Sequence, residues 1–214
     1  LEEARSQAAW IGIKHIECLT KEIDNPSYYQ NPINRCFTCK QELHHHIKEI
    51  AKKATGYQVI DGVNLNDLSE HRPGIEAAKL AGALSPLADL EIDKDTVREI
   101  SKALGFPWWN KPAQPCLASR FPYGELIDSN RLNRVEKAEL WLKNNGYEEV
   151  RVRSYGEEAS IEVPINQIED LILKVGKEKI RVFFLSIGFS NVSIDMEGLI
   201  SGKLNRKNEQ TSKN

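Results

Sequence analysis

The sequence has 214 residues, with 29 Lys and Arg against 31 Asp and Glu, so its formal net charge is −2. Hydrophobic residues make up 40% and charged residues 28%, which is typical of a globular protein and not of a disordered chain. The near-neutral balance argues against nucleic acid as the main partner, because binding to a phosphate backbone usually requires a basic excess. No run approaches the roughly 18 apolar residues of a membrane span, so no membrane partner is expected.

Predicted strands and helices alternate through the first half of the chain. Strands are predicted over 13–19 and 57–62, and helices over 1–12, 40–54, 72–81 and 94–104. Gly12 is predicted to end the first helix and Asp93 to cap the last one. Such alternation indicates an α/β fold with a doubly wound parallel sheet, in which ligands bind outside the carboxyl ends of the strands. This rule places Asp61, Asn66 and Asp67, which follow the strand over 57–62, at the mouth of a site.

Residues 106–124 contain four prolines and show neither helical nor strand periodicity. A long ordered loop inside a compact chain is usually functional, and we interpret this one as the junction between two domains. Beyond it the pattern predicts a helix over 132–144, paired strands over 150–153 and 160–163, two further helices and a last strand over 192–196. We therefore predict a domain at 1–124, a small α+β domain at 125–205 and a disordered tail at 206–214.

The four cysteines are Cys18, Cys36, Cys39 and Cys116. Residues 1–5 have neither the basic start nor the apolar stretch of a secretion signal, so a cytoplasmic enzyme or metal-site protein is expected. Cys36 and Cys39 form a Cys-x-x-Cys pair, which could serve an iron–sulfur cluster, a zinc site or redox chemistry. Zinc usually takes four ligands, and the following histidines at 44–46 are interpreted as a solvated surface run, because consecutive helical residues point in different directions.

Cys116 lies in the proline-rich loop beside cationic residues, a setting that favours a thiolate. Three cysteines, with Cys116 joining the pair, would suit a cluster that has one iron without a protein ligand. The alternative is that Cys116 is a packed cysteine in an ordered loop. Cys18, in an apolar segment, is interpreted as a small buried hydrophobe.

Cationic side chains recur in the second half of the chain. Arg151 and Arg153 are two residues apart on a predicted strand and share a face, so they could bind a carboxylate or phosphate as a fork, or pair with Glu157, Glu158 or Glu162 on the neighbouring strand. Arg120, beside Ser119, and Lys203 are further cations. In the first half, Asn66 and Asp67 could hold Mg²⁺ near a nucleotide, or could cap a helix.

Several stretches together resemble the LarE family of ATP-dependent sulfurtransferases, which belongs to the PP-loop superfamily. They are 59–64 (VIDGVN), Asp67, 71–74 (HRPG), 85–87 (SPL), 151–153 (RVR), 201–205 (SGKLN) and, most specifically, 116–124 (CLASRFPYG). Members of this family convert the carboxylates of pyridinium biscarboxylic acid mononucleotide to thiocarboxylates during assembly of the nickel-pincer cofactor of lactate racemase. The resemblance covers nearly the whole chain.

The resemblance implies that ATP adenylates the substrate carboxylate and that a sulfur nucleophile then attacks the acyl-adenylate. Some members sacrifice the sulfur of one cysteine near the position of Cys116, whereas others carry three cysteines. The latter pattern matches Cys36, Cys39 and Cys116 and implies a [4Fe-4S] cluster with a bound sulfide. The resemblance also implies that Ser119, Arg120, Glu139, Arg151, Arg153 and Lys203 bind the substrate phosphate and carboxylates, and that Asp61, Asn66, Asp67 and Arg72 contact ATP and Mg²⁺.

The sequence departs from the superfamily pattern in one important motif. The pyrophosphate loop, Ser-Gly-Gly-x-Asp-Ser, is not found in residues 1–214, and the single methionine is Met196. We therefore expect an N-terminally truncated sulfurtransferase that does not adenylate by itself, because backbone N–H groups of that loop cradle the phosphates. Ile200 also stands where an Arg is expected. The expected partners are a nicotinate-derived mononucleotide, a sulfide or other sulfur donor and further copies of the chain in a homo-oligomer. The alternatives are a tRNA-thiolating enzyme of the same superfamily and a non-catalytic zinc-binding module.

Overall fold

The computed structural model describes residues 1–53, 57–69, 72–200 and 202–203. Its α-helices are α1 (Glu2–Ile11), α2 (Pro26–Tyr29), α3 (Arg35–Ala51), α4 (Leu65–Leu68), α5 (Pro73–Leu80), α6 (Pro86–Asp89), α7 (Lys94–Ala103), α8 (Ser129–Asn144), α9 (Ile168–Asp170) and α10 (Lys177–Ser186). Its strands are β1 (Arg151–Tyr155), β2 (Glu158–Glu162) and β3 (Asn191–Ile194). None of the helices in these ranges is long and apolar enough to cross a membrane. The tail predicted at 206–214 lies outside the described residues.

The chain divides into two compact units. The first consists of Leu1–Glu22 and the described residues of Cys36–Glu91, and the second of Ile23–Arg35 and the described residues from Ile92 onward. These units do not coincide with the predicted division at residue 124, because the proline-rich loop at 106–124 lies within the second unit. The chain therefore enters the second unit at Ile23–Arg35, returns to the first, and enters the second again.

The first unit is mainly helical. Helix α1 ends as predicted at Gly12, whose φ of 79° lies in the left-handed region and whose N–H binds the carbonyls of Ala8 and Ala9. The strand predicted at 13–19 is wrong: this segment is irregular, and Leu19 is 94% exposed, because no neighbouring strand pairs with it in the described part of the chain. Helix α3 begins at Arg35 instead of residue 40, so that Cys36 lies in its first turn and Cys39 one turn further along, and neither lies in a loop.

The strand predicted at 57–62 is reduced to a single parallel bridge between Ile60 and Leu84. The Leu84 N–H donates to Val59 O at 3.0 Å, and the Asp61 N–H donates to Leu84 O at 2.9 Å. The structure thus has a mixed helical and sheet architecture, while the doubly wound parallel sheet stays a prediction.

The second unit contains a three-stranded sheet in the order β1-β2-β3. Strands β1 and β2 form the predicted antiparallel hairpin, with Val152 opposite Ile161, and β3 pairs with β2 in parallel. The predicted helix over 132–144 is confirmed as α8, which starts at Ser129 because the side chain of Asp128 accepts a hydrogen bond from the Arg131 N–H at 2.8 Å. Helix α8 contacts β1.

The core of the second unit lies on one face of this sheet. Five side chains of this core are completely buried: Val152 and Ile161 from the hairpin, Val135 and Leu142 from α8, and Phe184 from α10. Side chains alternate along a strand, so Arg151 and Arg153 lie on the other face. This alternation separates the apolar core from a polar face, where the predicted substrate residues of the hairpin are found.

The two helices predicted between the hairpin and the last strand form one irregular helical run. It begins with a 3-10 turn at Ile165–Gln167, continues through α9 and a π-helical turn at Leu171–Gly176, and ends with α10. Gly176, with a φ of 89°, marks the change from the π-helical turn to α10.

Candidate functional site

Cys116 is an exposed thiol at the start of a tightly held turn. Its carbonyl accepts hydrogen bonds from Ser119 N at 3.0 Å, Ser119 Oγ at 2.8 Å and Arg120 Nη1 at 3.3 Å. Arg120 Nη1 also donates to Pro115 O at 2.9 Å. The backbone at Cys116 is thus fixed while its side chain stays accessible to solvent.

Arg120 and Glu139 form a buried, bidentate ion pair. Arg120 Nε lies 2.8 Å from Glu139 Oε1 and Arg120 Nη2 lies 2.9 Å from Glu139 Oε2, and each residue is 4% exposed. Glu139 Oε1 also accepts a hydrogen bond from Val152 N at 2.9 Å. Arg120 and Glu139, which were both predicted to bind substrate, therefore bind each other. Their geometry supports a structural role, in which the pair holds the Cys116 turn against β1.

Arg153 takes part in a second buried ion pair. Its Nε donates to Glu162 Oε1 at 3.1 Å, and its Nη1 donates to Ser119 O at 2.7 Å. Both Arg153 and Glu162 are at least 96% buried. The cross-strand alternative raised by the sequence is confirmed for Arg153 and Glu162, and the same arginine fixes a second carbonyl of the turn. Glu162 Oε2 is buried without a hydrogen-bond partner among the described residues.

Arg151 differs from these two arginines. Within the described residues no carboxylate lies at ion-pair distance from it, and its Nη1 reaches only Ile200 O at 3.5 Å. Burial lowers the pKa of Arg151, the nearby charges of Arg153 and Arg120 add to this lowering, and Glu162 and Glu139 oppose it. An anion that binds to a partly buried cation beside other cations stabilises it, because the anion offsets both the burial of the charge and the repulsion from its neighbours.

Lys203 is engaged by two carboxylates. Its Nζ lies 2.5 Å from Asp195 Oδ2 and 3.0 Å from Glu197 Oε2. Burial by itself would lower the pKa of Lys203, but the hydrogen bonds to both carboxylates outweigh burial and raise it. Lys203 therefore stays charged and is partly neutralised by its neighbours. Ser201, which belongs to the same motif, lies outside the described residues.

In the first unit, Asp61 and Asp67 bind nearby backbone. Asp61 Oδ1 accepts from Val63 N at 3.1 Å, and Asp67 Oδ2 accepts from Asn64 N at 3.1 Å, completing a capping box at the start of α4. Asp67 Oδ1 also pairs with Arg72 Nη1 at 2.9 Å. The helix-capping interpretation is thus confirmed for Asp67. The Asn66 N–H donates to Asn64 Oδ1 within the same turn, and contact of this group with ATP or Mg²⁺ stays a prediction.

Cys36 and Cys39 are thiols one helical turn apart in α3, so they share a helix face. Cys116 belongs to the other unit. Among the residues that the structure describes, no group of three or more His, Cys, Asp or Glu side chains is arranged to hold a metal ion. Thiols that are exposed or partly exposed are chemically suited to iron–sulfur ligation, and the shared cluster stays a prediction. Cys18 is exposed, so its interpretation as a buried hydrophobe is wrong: among the residues that the structure describes, no strand covers the irregular segment around it.

The histidines at 44–46 are not all on the surface. His44 is only 5% exposed, so the predicted solvated run is wrong at this position, because the face of α3 that bears it is covered. Burial lowers the pKa of His44, Lys40 and Lys48 add to this effect, and Asp61 opposes it. His46 Nε2 lies 3.1 Å from Glu42 Oε1, one helical turn away.

Two buried residues near the Cys116 turn were missed by the sequence analysis. Asn31 is completely buried with a φ of 53°, and Arg35 is 4% exposed. Arg35 Nη1 binds both Asn31 Oδ1 and Ala118 O, the second at 2.9 Å. Asn31 precedes Pro32, an Asn-Pro pair favours a turn, and Asn tolerates the left-handed conformation better than most residues. Nothing in this local pattern points to the partners of the two side chains.

Comparison with known proteins identifies relatives over most of the chain, although no protein-family model matches it. It is 53% identical to the uncharacterized Synechocystis protein slr1717 over 207 residues, 96% of this chain and 77% of that protein. It is 32% identical to the uncharacterized Methanocaldococcus jannaschii protein MJ0830 over 191 residues, 88% of this chain and 73% of that protein.

A third relative has a named product. The chain is 34% identical to the pyridinium-3,5-bisthiocarboxylic acid mononucleotide synthase of Lactiplantibacillus plantarum over 169 residues, which is 79% of this chain and 60% of the synthase. The chain belongs to the family that includes slr1717 and MJ0830, and the match to the synthase supports its description as LarE-like.

Proposed function

We propose that this chain carries the sulfur-transfer site of a LarE-like sulfurtransferase, which converts carboxylates of pyridinium biscarboxylic acid mononucleotide to thiocarboxylates for the nickel-pincer cofactor. The similarity to the L. plantarum synthase supports the substrate and product class. The observation that carries the proposal is the exposed Cys116 on a turn fixed by buried arginines, with Arg151 as a nearby cation that lacks a carboxylate partner in the described residues. This combination provides a sulfur atom and an anion-binding group within one compact unit.

The proposed reaction has two steps. An oxygen of the substrate carboxylate attacks the α-phosphorus of ATP, and pyrophosphate leaves. Sulfur then attacks the acyl carbon, the bond from that carbon to the AMP oxygen breaks, and AMP leaves with the electron pair of this bond. Residues 1–214 lack the Ser-Gly-Gly-x-Asp-Ser motif, so we expect the first step not to occur with this chain alone.

Within this scheme the arginines have different roles. Arg120 and Arg153 fix the carbonyls of Pro115, Cys116 and Ser119, which determines where the Cys116 side chain starts. Arg151 binds the substrate phosphate or a second carboxylate, because an anion there relieves the repulsion among the three guanidinium groups. Asp61, Asn66, Asp67 and Arg72 of the first unit are assigned to the nucleotide and its Mg²⁺.

The [4Fe-4S] cluster would be held by the thiolates of Cys36, Cys39 and Cys116. Because three thiolates bind three of the four irons, one iron would have no protein ligand. When bound, the cluster would supply sulfide as the sulfur source, so that no protein sulfur is consumed. The alternative is that the sulfur of Cys116 itself is transferred: after Sγ has attacked the acyl carbon, the Cα proton of Cys116 is lost and the Cβ–Sγ bond breaks, which leaves dehydroalanine at position 116 and a thiocarboxylate on the substrate. In both cases Cys116 is the essential cysteine, and Cys116→Ala, made in a protein that also carries the Ser-Gly-Gly-x-Asp-Ser loop, should abolish thiocarboxylate formation while adenylation continues.

Anaerobic reconstitution with iron and sulfide tests the cluster. We expect about four irons per chain and a broad absorbance near about 400 nm, both lost in Cys36→Ala, Cys39→Ala and Cys116→Ala. The matched control is Cys18→Ala, which should reconstitute like the wild type. Full iron uptake by Cys116→Ala would contradict the three-cysteine cluster, and uptake of zinc without iron would favour the zinc-binding module.

Binding of the mononucleotide, measured by calorimetry, tests the anion site. We expect Arg151→Gln to bind at least about tenfold more weakly, because a charge-assisted hydrogen bond contributes about 1.5–3 kcal/mol and about 1.4 kcal/mol is a factor of ten. The control is Arg181→Gln, which removes an exposed arginine that pairs with Glu178. Equal affinity of Arg151→Gln and the wild type for the mononucleotide would refute the role of Arg151.

A separate experiment tests the alternative of a tRNA-thiolating enzyme. Retention of the wild type on immobilised tRNA at physiological salt would support that alternative.

A further inference from the structure

Asn31 and Arg35 bind the backbone of the segment that follows Cys116. Asn31 Nδ2 donates to Pro122 O at 2.6 Å and to Phe121 O at 3.3 Å. Arg35 Nη1 donates to Ala118 O at 2.9 Å and also to Asn31 Oδ1. The two buried side chains therefore form one connected group, in which the arginine orients the amide and both fix carbonyls of the turn.

The backbone around Asn31 adds two more bonds to the same segment. The Gly124 N–H donates to Asn31 O at 2.9 Å, and the Ile127 N–H donates to Tyr29 O at 2.7 Å. The left-handed conformation of Asn31, with a φ of 53°, allows its carbonyl and its side-chain amide to serve neighbouring parts of one loop. A buried residue in this conformation is strained unless its surroundings fix it.

Most carbonyls of this loop are bound by buried side chains, and all of these except Arg120 come from distant parts of the sequence. Arg120 binds those of Pro115 and Cys116, Arg35 that of Ala118, Arg153 that of Ser119, and Asn31 those of Phe121 and Pro122. Such a set of bonds leaves the backbone at Cys116 little freedom. It exceeds what a short exposed connection needs, because exposed loops usually satisfy their carbonyls with water.

We propose that Asn31 and Arg35 are positioning residues for Cys116. They fix the loop at 118–124 through its carbonyls, and this fixed loop sets the place from which the Cys116 sulfur acts. Arg35 immediately precedes Cys36 in the sequence, so the residue that binds Ala118 O is also joined by a peptide bond to a second predicted cluster ligand. The importance of this for sulfur transfer rests on the proposed function, whereas the fixing of the loop can be tested without it.

Hydrogen exchange on the 214-residue chain tests the positioning role. Asn31→Gly keeps the left-handed backbone accessible and removes the side-chain bonds, while Arg35→Lys keeps the charge but not the planar donor group. We expect the amides of Ser119 and Gly124 to exchange at least tenfold faster in both variants, with the amide of Leu142, a completely buried residue inside α8, unchanged. The control is Asn25→Ala, which removes only the exposed cap of α2 and should leave the loop protected.

Two results would overturn the proposal. Unchanged exchange at Ser119 and Gly124 would show that the side chains do not fix the loop. An equal increase at these amides and at Leu142 would show that the two side chains stabilise the whole unit and do not position the loop.

The link to sulfur chemistry has its own measurement. After reconstitution with iron and sulfide, Arg35→Lys, which urea denaturation should show to be folded under these conditions, should lose at least half of the cluster absorbance and give an altered electron paramagnetic resonance signal after reduction. An unchanged signal would refute a role in placing Cys116 for the cluster. If the wild type itself binds no iron, the cluster proposal fails, and the exchange experiment alone decides whether Asn31 and Arg35 fix the loop.

Discussion

Replacement of Glu139 by Gln tests whether the buried ion pair with Arg120 maintains the Cys116 turn. The substitution preserves the shape of the side chain and removes only its charge and one acceptor oxygen. Oε1 can still accept from Arg120 Nε and from Val152 N. The new NH₂ group, however, would face Arg120 Nη2 at about the 2.9 Å now separating that nitrogen from Oε2, so that two donors oppose each other.

The expected loss of stability follows from this geometry. The side chains of Arg120 and Glu139 are 5% and 6% exposed, so water cannot compensate for the lost charge. Removing one partner of a buried pair costs about 3–5 kcal/mol. Because Gln keeps two of the three hydrogen bonds, we expect the free energy of unfolding to fall by about 2–3 kcal/mol.

Urea denaturation followed by circular dichroism measures this change, and a double-mutant cycle assigns it to the pair. Arg120→Met with Glu139→Gln should lose clearly less than the sum of the two single variants, because the double variant leaves no unpaired buried charge. Glu178→Gln, which removes one partner of an exposed pair with Arg181, should leave the urea midpoint almost unchanged. Additive effects of the two buried substitutions, or an unchanged midpoint for Glu139→Gln, would refute the reasoning.

Three further substitutions test other parts of the structure. The pKa of His44 lies below its ordinary value of 6.5 because the residue is buried. The unfolded chain therefore binds the proton more readily than the folded chain, and the free energy of unfolding should fall as the pH drops below about 6.5. His44→Gln should give a flatter plot of urea midpoint against pH than the wild type. Asp93→Ala removes the acceptor for Thr96 N and should reduce the amide protection of the first turn of α7; unchanged protection would contradict the capping role. Gly198→Ala should lower the free energy of unfolding by about 2–3 kcal/mol, because φ is +72° and the added Cβ would lie 2.9 Å from Val163 O; a wild-type midpoint would show that this contact relaxes without cost.

The elements best predicted from the sequence are those determined by neighbouring residues. Local periodicity and turn chemistry predict four such features: the end of α1 at Gly12, the cap of α7 at Asp93, helix α8 and the hairpin around Gly156. The strand predicted at 13–19 failed for the opposite reason. An apolar segment becomes a strand only when a partner supplies the hydrogen bonds, and no such partner is found in the described residues.

The sequence by itself identified the candidate site residues: the cysteines at 36, 39 and 116, and the basic side chains around 120 and 151–153. Only the tertiary structure decided which carboxylate each arginine meets. Arg120 is bound to Glu139 and Arg153 to Glu162, whereas no carboxylate of the described residues lies at ion-pair distance from Arg151. Asn31 and Arg35 reach carbonyls that follow them by 83 to 91 residues in the chain. Contacts over such separations form only when the chain folds, because no local pattern encodes the partner of a buried polar group.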